Sequence, residues 1–207
     1  MHLPDGIITF NQAIIYYLLT IIILIIYNYL FSKNDNKEKQ IVQIALFATI
    51  TFLLSSLSFP SPMGIPIHFF VIPLAVIMIG LISGTFVSFI SLLAQTLFLG
   101  MGGILSFGAN FIVMGFVISL VTYVFYNTFS DINEKIAVFL STIMGIMFAT
   151  FTQIIILVIS GSITFETILS ILTPYYMFIA IIEGILNVMI IYAISSIKPE
   201  IMELNKI

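Results

Sequence analysis

Two imidazoles are the only nitrogen-ring side chains with ligand chemistry in the 207 residues, and their placement is unusual. His2 follows the first methionine in "MHLPDG", and His68 closes "FPSPMGIPIH" at 59–68. Met1-His2 is a compact chelate. The α-amine, the His2 backbone nitrogen and His2 Nδ1 close a five-membered and a six-membered ring, nearly strain-free and roughly planar. A deprotonated peptide nitrogen is a strong in-plane donor, which suits Ni(II) or Cu(II), ions that favour square-planar nitrogen sites. One more nitrogen completes the square, and His68 is the remaining imidazole. Mg(II) and Ca(II), which want six or more oxygens, fit poorly. The bland alternatives are an incidental histidine at position 2 and a helix-start histidine bonded to backbone.

Other polar residues stand out against an apolar chain. "PDG" at 4–6 is a turn signal first, and its Asp5 can also support a ligand imidazole from behind. Gln95 is one of few polar residues in its segment, where bonding between helices is the plain reading. "GMGGILSFGAN" at 100–110 has the glycines of a phosphate loop without the following Lys-Ser/Thr. It reads better as irregular backbone lining a cavity, with Asn110 pointing in to orient a ligand. Glu183 is the one carboxyl well inside an apolar span. Such groups are costly and functional by default, with a polar contact to a neighbour such as Asn187, one turn on, as the structural alternative. No nucleophile–base pair and no H-E-x-x-H motif is present, so the expectation is no catalytic residue and no enzyme.

The elements that must position these residues are membrane helices. Hydrophobic residues make up 61% of the chain, charged residues 7%, and mean hydropathy is +1.25. Soluble domains carry about 25% charge. The apolar runs are continuous rather than alternating, which excludes a β-barrel pattern. There is no cysteine, hence no disulfide or thiolate site, and no basic stripe for a nucleic acid. Residues 1–32 contain no Lys or Arg, so the start does not resemble a cleaved signal, and the N-terminus is expected to be kept.

Seven apolar segments follow from length and breakers. They run from about Phe10 to Phe31, Gln40 to Phe59, His68 to Ile79, Gly80 to Leu99, Ala109 to Phe129, Ile136 to Ser160, and Pro174 to Ile197. The third is short, with Pro73 inside. The connector 161–173 is expected to hold a short interfacial helix. "GLISG" at 80–84 has the spacing that favours close helix approach. With seven crossings, all six lysines (Lys33, Lys37, Lys39, Lys135, Lys198, Lys206) fall on one face. The positive-inside rule makes that face cytoplasmic. Residues 1–207 therefore read as a single transmembrane domain in the cell membrane, N-terminus outside and C-terminus cytoplasmic, with His2 and His68 on the same outer face.

These stretches resemble a known family. "MHLPDG" is similar to the "MHIPDGF" start of the cobalt/nickel-specific S components, the M subunits of energy-coupling factor transporters. "FPSPMGIPIH" resembles that family's "FPVPGGTSxH". "AQTLFLGMGGILSFGANFIVMG", 94–115, resembles "QALLFGDGGLxALGANVxNMG", and Glu183-Gly184 sits where a "GEG"-like stretch is expected. The resemblance implies an S-component-like all-α bundle with an extra N-terminal helix. It implies a Co2+ or Ni2+ cargo held by the Met1 amine, the His2 amide and imidazole, and His68. The implied partners are a transmembrane coupling subunit and a pair of cytoplasmic ATPases; this chain shows no Walker motif. It leaves open cobalt against nickel, and whether a small accessory membrane subunit takes part. An S component for an organic vitamin, with no metal site, is the alternative within the same architecture. The chain departs from the family pattern at Ile65 and Pro66, where small polar residues are usual. It also departs at Met101 for an acidic residue, Val113 for a second Asn, and Tyr176 for a histidine.

Overall fold

The structure is a computed structural model that describes residues 1–57, 68–162 and 164–197. The stretch containing Ile65 and Pro66, and the tail carrying Lys198 and Lys206, lie outside the described residues.

Among the described residues seven helices follow in order: α1 Phe10–Ser32, α2 Lys37–Ser56, α3 Ile72–Ile79, α4 Leu81–Leu99, α5 Phe107–Phe129, α6 Glu134–Ile159 and α7 Phe165–Ile197. The described residues contain no strand. Six of the helices are long and apolar enough to cross a membrane alone, and α3 is not. The chain nevertheless traverses the bundle at that point. His68 shares a cavity with Met1 and Ser55, whereas Gly80 borders another with Asn34 and Gln40 beside the lysines. Eight helical residues give about 12 Å, and the non-helical residues 68–71, which end in a left-handed turn at Val71, lengthen that reach. A helix this short with non-helical backbone ahead of it cannot face lipid. All eight α3 residues are buried by their neighbours.

Local chemistry sets the helix ends. Thr9 caps α1 in a reciprocal box with Gln12, and the Asn133 side chain accepts from Ile136 N at the start of α6. Pro73 sits in the first turn of α3, where its missing N–H has no intrahelical partner to lose. Gly84 lets α4 touch α3, because a Cβ there would stand 2.9 Å from Val76 Cα. Gly108 does the same for the peripheral α1, with a Cβ 2.8 Å from Tyr17 N. Within α5, Phe111–Val117 winds as a π-helix.

One boundary differs from expectation. Among its described residues the 161–173 connector holds no separate interfacial helix. From Phe165 it is the first part of α7, which runs through Pro174 without a break. A proline ahead of an apolar run signals a start. Here only the i−4 bond is lost, and the neighbouring packing of α7 against α6 carries the helix past it.

Candidate metal centre

Residues 1–9 fold back into the end of the bundle remote from the lysines. Leu3 and Ile8 are buried in the main core. The Asn110 side chain takes both backbone groups of Leu3: Leu3 N donates to Oδ1 at 2.7 Å, and Nδ2 donates to the Leu3 carbonyl at 3.0 Å. Asp5 Oδ1 accepts from Ser106 N at 2.9 Å, while Ser106 Oγ donates to the Pro4 carbonyl at 3.0 Å. From α6, Gln153 Nε2 donates to the Met1 carbonyl at 3.1 Å. Tyr17 donates to the Ile104 carbonyl, tying the glycine-rich loop to α1.

This arrangement corrects two expectations. Asp5 supports no imidazole; its carboxylate meets the backbone N–H of the 100–106 loop, a nearer donor that the turn at 4–6 aims it toward. Asn110 does not point into the cavity. An amide offers one donor and one acceptor side by side, which match the N–H and C=O of one buried residue.

The hydrogen bonds select the His2 tautomer. His2 Nε2 lies 3.1 Å from Gln95 Oε1, and Gln95 Nε2 donates to Ser55 Oγ. Ser55 Oγ gives its one proton to the Thr51 carbonyl, so it can only accept from Gln95. Gln95 therefore presents its oxygen to His2, Nε2 carries the ring proton, and Nδ1 holds a lone pair. The buried Nδ1 of His68 has no hydrogen-bond partner. Met1, His2 and His68 line one cavity of about 240 Å³, with Ser55, Met114 and Tyr176 among the other walls.

The electrostatics agree. Burial lowers the Met1 amine from 8.0 to about 5. His2 falls from 6.5 to about 4, chiefly by burial and then by the neighbouring amine charge. At neutral pH the amine and the His2 imidazole are uncharged Lewis bases. Among the described residues no three His, Cys, Asp or Glu side chains converge, so a metal here needs main-chain donors.

Glu183 belongs to the wall behind His68. Its two oxygens accept from Phe70 N and Val71 N, each at 2.8 Å. The alternative contact, with Asn187, is not made; Asn187 Nδ2 donates to Thr142 Oγ1 at 3.1 Å. Two buried backbone N–H groups ahead of α3, free of helix bonds, are stronger partners for a carboxylate than a side-chain amide. Gln153 and Ser55 were not singled out from sequence. Gln153 is the one amide in an apolar helix, the same signal that marked Gln95.

A bundle of apolar helices with its chain start sealed into one end is a multi-pass membrane protein. The family model described as "Cobalt uptake substrate-specific transmembrane region" matches residues 2–201, and the chain belongs to this CbiM family. It is 32% identical over 199 residues to the cobalt transport protein CbiM of Thermosipho melanesiensis, covering 92% of this chain and 85% of the relative. A putative fused nickel transport protein NikMN of Archaeoglobus fulgidus is 27% identical, covering 98% of this chain and 68% of the relative. Crystal structures of a transition metal transporter and of a truncated one share the fold. Their TM-scores are 0.87 and 0.85, at 18% and 19% identity, covering 100% and 95% of this chain and 98% and 99% of theirs.

Proposed function

We propose that the chain is the substrate-binding subunit of an ATP-driven energy-coupling factor importer for cobalt or nickel. The ion is held in a near-square-planar set: the Met1 amine, the His2 amide nitrogen, His2 Nδ1 and His68 Nδ1. The observation that carries this reading is the unpartnered, buried Nδ1 of His68 in one cavity with Met1 and a His2 whose own Nδ1 keeps its lone pair. Names of relatives supply the ion class: cobalt for one, nickel for another.

The cargo enters from outside, with residues 1–207 as a single transmembrane domain and the lysine end in the cytoplasm. It displaces the His2 amide proton and leaves inward when a transmembrane coupling subunit, driven by two cytoplasmic ATPases, reorients the bundle.

The test uses protein purified with Met1 as its first residue. Elemental analysis and X-ray absorption should find one Ni(II) or Co(II) per chain with nitrogen donors. One extra residue ahead of Met1, or His2→Ala, should abolish tight binding. Equal binding by the extended chain refutes the site, and an organic ligand retained without metal favours a vitamin carrier.

A further inference from the structure

We infer that Glu183 is the positioning residue for His68: by clamping the left-handed turn at Val71 it aims the imidazole into the cavity and ties that aim to α7. This rests on the metal reading above.

Val71 is the one described non-glycine residue with positive φ, at +62°, and it is β-branched. A valine holds that conformation only where its surroundings over-determine it. The turn lies three residues past His68 and immediately ahead of α3, so its twist sets the direction in which 68–70 leave the helix. The two N–H groups that the turn exposes go to one carboxylate, one oxygen each, at 2.8 Å. Glu183 is 2% exposed, on a helix otherwise distant in sequence. Phe70, held by Oε2, also packs its ring against Tyr176 of α7, with centroids 6.1 Å apart. Segment 68–71 is thus gripped by one face of α7, through backbone and ring together.

A carboxylate is specifically required. Glutamine offers one acceptor oxygen and turns an NH2 group toward the second N–H, so one bond is lost and two donors face each other. With the clamp gone, Val71 relaxes toward negative φ and His68 swings off its aim. The chelate built by Met1 and His2 is held elsewhere, by Asn110 and Gln153, and persists.

The experiment compares Ni(II) complexes of the native protein, Glu183→Gln, His68→Ala and the double variant Glu183→Gln/Val71→Gly by d–d absorption, circular dichroism and affinity. Glu183→Gln should give the His68→Ala spectrum and bind about 10- to 100-fold more weakly, the usual loss when a residue behind a ligand is removed. Glycine adopts φ near +60° unaided, so the double variant should regain the native spectrum. That recovery is one a merely structural role would not produce. Glu183→Asp, which sets both acceptors back by a methylene, should move in the same direction and serves where the glutamine variant does not purify. A native spectrum and affinity in Glu183→Gln overturn the assignment, as does a double variant that stays like His68→Ala. If the native protein takes up no nickel, or His68→Ala matches it, the metal reading itself fails, and this assignment with it.

Discussion

His2 and Gln95 meet at 3.1 Å across the mouth of the bundle, and the direction of that bond is dictated two residues further back, by the proton Ser55 gives to Thr51. A ring nitrogen is thereby kept ready as a lone pair before any ion arrives. Gln95→Leu should leave the fold intact and let His2 sample both tautomers. Ni(II) or Co(II) affinity should fall about 10- to 100-fold in competition titrations. Unchanged affinity would remove Gln95 from the site.

Asn110 holds Leu3 by both backbone groups, one residue past the chelate. Asn110→Ala strands a buried N–H and a buried C=O, each costing about 1–3 kcal/mol. The loss should be local. The amides of His2, Leu3 and Asp5 should exchange with solvent much faster, metal affinity should drop, and the melting temperature of the helices should move little. Protection retained at Leu3 would contradict the clamp.

The lowered basicity of the amine and His2 has a definite sign. The undocked segment takes up protons first as pH falls, so docking is fully favourable above about pH 8. It weakens between 8.0 and about 5 for the amine, and between 6.5 and about 4 for His2. Between pH 7 and 8 the docked amine and His2 imidazole are already neutral, so metal binding should draw no proton from them and should release that of the His2 amide. Calorimetry in buffers of different ionisation enthalpy counts it. Release of an additional proton by the amine or by His2 would mean that the group is charged in the metal-free protein.

Gly108 is where α1 rests on α5. Gly108→Ala drives a methyl into the Tyr16–Tyr17 backbone, a strain of about 1–3 kcal/mol. It should lower the thermal midpoint in detergent and weaken metal binding together, since α1 carries the segment that bears Met1 and His2. An unaltered midpoint would mean that the two helices separate without consequence.

The crossings and the shared end of His2 and His68 were legible because they rest on long-range sums: runs of apolar residues and a one-sided set of lysines. Those sums also carried the third crossing, although α3 alone is too short. What escaped was the pairing of polar groups. Glu183 reads as a lone carboxyl in an apolar run, and nothing nearby in the chain discloses that its partners are backbone N–H groups 112 and 113 positions away. Asp5 and Asn110 stand out by type, but a side chain's direction follows from packing. Pro174 reads as a start because a local breaker looks decisive until a neighbouring helix overrides it.

The bond from Gln153 to the carbonyl of Met1 spans 152 positions. During synthesis the first residues must therefore wait, without their final partner, until most of the chain has been made and α6 has inserted. The pocket is the last thing to be assembled, and a half-built bundle offers an ion nothing complete to sit in.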